Sequence, residues 1–188
     1  MNIKLLLEIT NQSINWMLPE MHSVEAIAML VAIALQESNG TQRRQHGGPG
    51  RGYWQFEPNG ALGVAKHPQT ALQFENLCTG LDYPASAGGV AADIEKDTIL
   101  AACVARLLLY THPDPLPRRG NADGAWRQYL DLWRPGKPRP ADWAANWDLA
   151  WTETTGTADY DSADIDEDNT LTRPEESETT PTIDTQPT

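Results

Sequence analysis

Little in this sequence suits metal or redox chemistry. It has two cysteines, Cys78 and Cys103, and four histidines. Neither cysteine has a second cysteine or a histidine at metal-ligand spacing, and His22, His67 and His112 lack such partners too. The two cysteines are compatible with a disulfide or with two buried thiols, so they do not reveal a redox compartment. There is no phosphate loop and no dinucleotide fingerprint, so no cofactor is expected. No internal repeat is visible. No apolar run approaches the roughly 18 residues of a membrane span. The opening Met1-Asn-Ile-Lys-Leu-Leu-Leu-Glu8 starts like a secretory signal, but Glu8 interrupts it after three apolar residues, where about 7–15 are needed. The expectation is a chain made in the cytoplasm without a signal peptide and without a membrane span.

Basic charge is scarce, above all near the end of the chain. The chain has 188 residues and a net charge of −12. Residues 152–188 carry eleven acids and one base, Arg173, a net −10. Residues 1–151 are therefore close to neutral. The terminal segment is threonine-rich and has three Leu/Ile residues and one tyrosine. Such a composition cannot bury enough apolar surface to offset chain entropy. Two regions follow: a folded domain over 1–151 and an acidic disordered tail over 152–188. Arg43, Arg44 and Arg51, with His46 among them, form a basic loop too small for a nucleic-acid face, so no nucleic-acid partner is expected.

What remains is mostly helical. Apolar spacing predicts a helix from Ile3 to Leu18, stopped by Pro19. A second runs from Val24, with Ser23 as its cap and Gly40 placed to end it. Residues 39–60 hold six glycines and read as a loop or short β-hairpin whose arm contains Tyr53, Trp54 and Phe56. One or two short helices fit Ala61–Leu77, and residues 80–93 read as a loop. Thr98–Tyr110 is a strong helix. Asn121 or Asp123 caps another through Trp126 and Trp133, which Pro135–Pro140 ends. A last short helix covers Trp143–Trp151. Trp143, Trp147 and Trp151 lie four apart and form one stripe, the pattern of core packing more often than of a ligand platform.

The chemistry centres on Glu37. Ile27, Leu30 and Ala34 place it on the apolar stripe of its helix, near the carboxyl-terminal end. Burial and the helix dipole both disfavour its charged form, which is the condition for a general acid near neutral pH. An ordinary helix-end glutamate is the competing explanation.

Two segments, Ala34-Leu-Gln-Glu37-Ser38-Asn-Gly and Gly50-Arg-Gly-Tyr53-Trp-Gln55-Phe-Glu57-Pro, resemble the lysozyme-like superfamily of lytic transglycosylases and goose-type lysozymes. There a Glu-Ser pair ends a helix, and a Gly-containing block closing on Gln follows. The match spans roughly residues 20–60. The family's Tyr-Asn-Ala-Gly segment is not found, and Tyr129 is its nearest stand-in. The resemblance implies a mainly α, lysozyme-like helical domain with a small β-hairpin at the cleft. It implies Glu37 as catalytic acid and base on the glycosidic bond between N-acetylmuramic acid and N-acetylglucosamine. Ser38, Tyr53, Trp54, Gln55, Glu57 and Tyr129 become the substrate-binding candidates. The implied partner is the peptidoglycan glycan strand, cut as part of cell-wall degradation. The late Trp-rich segment is similar in style to small bacteriophage lysozymes. This makes a phage virion the expected setting, with action in the host periplasm or wall. A rival of another class is a non-catalytic virion adaptor that docks a partner protein through the acidic tail.

Overall fold

The structure, a computed structural model, describes residues 2–84, 90 and 92–157. Among them are seven α-helices: α1 (Ile3–Ile14), α2 (Val24–Ser38), α3 (Pro58–Lys66), α4 (Ala71–Gly80), α5 (Thr98–Tyr110), α6 (Ala122–Trp133) and α7 (Pro140–Thr157). The domain is thus mainly helical, as expected.

Two helices form its centre. In α2 every residue from Ala28 to Gln36 is buried, and in α5 every residue from Leu100 to Leu107 is. A helix that is apolar on all sides must be covered on all sides. Accordingly α1 packs on both, α7 lies along α2, and α3 and α4 lie on α5. Side-chain caps fix where these helices start. Ala26 N donates to Ser23 Oγ at 3.1 Å, and Asp97 Oδ1 accepts from both Ile99 N and Leu100 N. Each such cap contributes about 1 kcal/mol. At the other end of α2 the left-handed position falls on Asn39, with Gly40 following it at φ 63°. A Cβ on Gly40 would stand 2.9 Å from Leu6 Cδ1, so this glycine also lets α1 approach.

The first helix is shorter than its periodicity suggested. It ends at Ile14, and a 3₁₀ turn follows over Pro19–Met21. The expected β-hairpin around residues 50–57 is not present. Arg51 and Phe56 exchange two backbone hydrogen bonds (2.9 and 2.8 Å), and only isolated bridges join Arg44 to Arg51 and Arg51 to Phe56. The intervening turn uses positive φ at Gly52 (69°) and Gln55 (48°). It reverses the chain within one pair, and Pro58 at once begins α3. No length is left for paired strands.

The last helix is longer than expected. It begins at Pro140, whose fixed φ suits a first helical position, and continues past Trp151 to Thr157. Residues 152–157 therefore belong to the folded domain, which moves the boundary set at 151. The reason is local. Thr155 Oγ1 donates to Trp151 O, and Thr154 is buried. The remainder of the acidic segment, like part of the loop at 80–93, lies outside the described residues. Trp143, Trp147 and Trp151 are all buried, so the stripe is core. Cys78 and Cys103 are both buried and free. Among the described residues no helix is long and apolar enough to cross a membrane.

Candidate functional site

Glu37 stands in the last turn of α2, at the wall of a cleft of about 910 Å³. α6 supplies the facing wall. Asn121 caps that helix through Gly124 N (2.9 Å) and so sets the register that points Tyr129 inward. The phenol of Tyr129 donates to Glu37 Oε1 at 2.6 Å. Burial raises the pKa of Glu37. The Tyr129 hydrogen bond and the Arg139 guanidinium pull it down, and the charge of Glu57 pushes it up; burial prevails. Burial and the neighbouring carboxylate likewise push the Tyr129 phenol upward, which keeps it a donor at any ordinary pH.

Aromatic packing holds Tyr129 in place. Its ring stacks on Trp143 of α7, with centroids 5.1 Å apart and planes at 16°, and on Trp133, centroids 6.3 Å apart. Trp133 in turn donates from Nε1 to Trp54 O at 2.9 Å and packs on Phe56. α6, α7 and the 52–55 turn are thereby joined around the carboxyl group.

A polar clamp secures the other side. Gln36 Nε2 donates to Arg139 O at 2.9 Å, the Arg139 guanidinium donates back to Gln36 O, and Asn146 Nδ2 donates to Gln36 Oε1 at 2.9 Å. The buried amide of Gln36 is thus satisfied at both ends, as a buried polar group must be. Gln36, Arg139, Trp133 and Asn146 were not singled out from the sequence. Their hydrogen bonds span 79 to 110 residues, and no short motif encodes that.

The sequence candidates divide. Glu37, Gln55, Glu57 and Tyr129 line the cleft. Gln55 spends its amide N–H groups on Gln42 O (3.1 Å) and Gly52 O (2.7 Å), which leaves Oε1 as an acceptor. Glu57 is exposed, just ahead of α3. Three candidates do not line it. Ser38 is buried and bonds back to Ala34 O at 2.9 Å, the habit of a helix-end hydroxyl. Trp54 is fully buried, its Nε1 donating to Leu30 O of the central helix. Tyr53 is buried as well, beneath the Arg43 guanidinium. Alternation along an extended arm would have brought one of these two rings to the cleft, but the tight turn sends both inward.

The basic loop is tied to the protein. Arg51 pairs with Glu95 at 3.1 Å, and Arg44 lies 3.8 Å from the same carboxylate. No group of side chains able to hold a metal ion occurs among the described residues. The site's chemistry therefore rests on one carboxyl group with a raised pKa, a phenol donor and a nearby guanidinium.

The chain matches no family model, no curated protein and no solved structure.

Proposed function

We propose that the protein cleaves the glycan strands of peptidoglycan, with Glu37 as the single acid and base. The observation that carries this is the Tyr129–Glu37 pair: a part-buried carboxyl, its proton favoured by burial, held by a phenol at the wall of an open cleft. A carboxyl that keeps its proton near neutral pH can protonate the oxygen between N-acetylmuramic acid and N-acetylglucosamine. The C–O bond then breaks, and positive charge develops at the anomeric carbon. In the transglycosylase course, the resulting carboxylate takes a proton from a hydroxyl of the same sugar as that oxygen closes on the anomeric carbon. This gives an anhydro end and returns the proton to Glu37. In a hydrolytic course water takes the hydroxyl's place, and Glu57, which lines the cleft as Asp131 does, is the carboxylate assigned to assist it. The resemblance of Glu37-Ser38 and Tyr53-Trp-Gln55 to the lysozyme-like superfamily supports the same reading.

A second reading has its own support. Three residues matching the family's substrate contacts, Ser38, Tyr53 and Trp54, are turned into the protein, and most of the chain's negative charge lies in 152–188. Both features fit a virion adaptor of lysozyme-like descent that binds a partner through acidic chain.

Digestion of purified cell walls by the wild type and by Glu37→Gln separates the two. The enzyme reading expects cleavage, reduced roughly 100- to 10,000-fold in the variant. Mass spectra with anhydro ends select the transglycosylase course. Absence of cleavage on every wall type defeats the enzyme reading. Deletion of residues 158–188, which spares α7, is expected to leave cleavage intact and to abolish partner binding only if the adaptor reading holds.

A further inference from the structure

A second cavity, of about 620 Å³, opens beside the carboxyl-terminal end of α5 and the start of α2. It is separate from the Glu37 cleft, and the His112–Asp131 pair (3.6 Å) stands between them, His112 on one and Asp131 on the other. Its distinctive feature is Arg106. The side chain leaves the middle of the buried helix α5 and is 4 % exposed. Its Nε donates to Met21 O at 2.9 Å, and its guanidinium lies over the Tyr110 ring, 5.6 Å from the centroid. No carboxylate of the described residues forms an ion pair with it. Burial pulls its pKa down to about 10, and the neighbouring Tyr110 offsets this only in part.

An unpaired buried cation is costly, and proteins keep one where something neutralises it. The Nη atoms of Arg106 have no hydrogen-bond partner among the described residues, and the residue lines the cavity. A guanidinium offers two parallel donors to a carboxylate or phosphate. The amino-terminal end of α2, at Ser23 and Glu25 on the cavity wall, adds a positive dipole end. The remaining charges narrow the ligand. Glu20, Glu25 and Asp114 oppose Arg106 and Arg118 around the opening. Glu20, Asp114 and Arg118 are exposed, so water screens them while the buried Arg106 keeps its full attraction at short range. The excess of carboxylates still penalises a dianion more than a monoanion. Leu109, Tyr110, Pro113, Pro115 and Leu116 give the cavity apolar wall, which suits an aliphatic body behind the charged head.

We propose that Arg106 anchors a binding site for a small monocarboxylate with an apolar body, distinct from the Glu37 cleft.

Calorimetric titration of the full chain with hexanoate, acetate and inorganic phosphate at constant ionic strength tests this. Saturable binding is expected in the order hexanoate, acetate, phosphate. The four additional methylenes of hexanoate should strengthen binding over acetate by roughly 100-fold if the cavity buries them. Arg106→Gln should weaken hexanoate at least ~10-fold, and Leu116→Glu, which places a like charge on the wall without touching the helix core, should do the same if Arg106→Gln does not fold. Glu37→Gln should bind hexanoate as the wild type does, so the outcome is independent of any wall-cleaving activity. No saturable binding of hexanoate, equal binding by Leu116→Glu, or phosphate binding tighter than hexanoate would each overturn the proposal.

Discussion

Tyr129 and Glu37 are 92 positions apart in the chain and 2.6 Å apart in the fold. The hydrogen bond joins the end of the central helix to the face of α6, and everything around it works to keep the two groups together. Trp133 and Trp143 fix the ring, and the Gln36–Arg139 exchange fixes the start of α7 beside the carboxyl.

That bond favours the ionised carboxylate, so its loss has a definite sign. In Tyr129→Phe the Glu37 pKa should rise above its already raised value, because burial then acts with less opposition. If Glu37 is the general acid, the alkaline limb of the pH–activity profile moves to higher pH while the maximum rate falls through looser positioning. Arg139→Gln should move the limb the same way. A limb that moves to lower pH in either variant contradicts the assigned electrostatics.

Stability should carry the same signature. Glu37 titrates higher in the folded protein than its ordinary 4.5. Below 4.5 the carboxyl is protonated in both folded and unfolded chains and contributes no pH dependence. As pH rises from 4.5 through the folded pKa, the unfolded chain loses its proton first, so folding weakens. Glu37→Gln lacks this penalty. Thermal unfolding of the two proteins should therefore show the variant's relative stability growing across that interval and levelling off above it. A difference independent of pH from 4 to 8 would mean that the carboxyl is not buried enough to titrate late.

The turn that replaces the hairpin offers a structural test. Gly52 sits at φ 69°, and a Cβ there would stand 3.0 Å from Ile94 O. Gly52→Ala should cost roughly 1–3 kcal/mol from strain and crowding. Trp133→Phe removes the hydrogen bond to Trp54 O and should cost about 1–2 kcal/mol. Urea unfolding gives both numbers. The second variant should also lower wall cleavage, since Trp133 stacks on Tyr129; Gly52→Ala losing no stability would show that the turn adapts.

Seven tryptophans in one chain invite a carbohydrate-platform reading, and the fold answers for five of them. Trp54, Trp143, Trp147 and Trp151 are buried, and Trp133 is half-buried with its indole N–H spent on Trp54 O. Replacing any fully buried tryptophan with alanine should cost about 3–5 kcal/mol, whatever the protein's activity.

Most of the helices and the Ser23 cap were legible in the sequence, because these depend on residues within one or two turns, and of the two cap candidates for α6 it is Asn121 that accepts from Gly124 N. The sequence also placed Glu37 in the last turn of an apolar helix, but α2 is buried on every side from Ala28 to Gln36, so no single stripe sets which way Glu37 faces. It misjudged residues 50–57, where local strand preference gave way to a one-pair turn that buries Tyr53 and Trp54. It also stopped α7 too early, because composition changes at Trp151 while Thr154 still faces the core. Which residues meet at the cleft depends on how the helices pack. Tyr129, Trp133 and Arg139 reach Glu37 and the 52–55 turn because α6 and the start of α7 pack across the end of α2. Such contacts come from the way whole helices bury their faces, so no local pattern of residue types announces them.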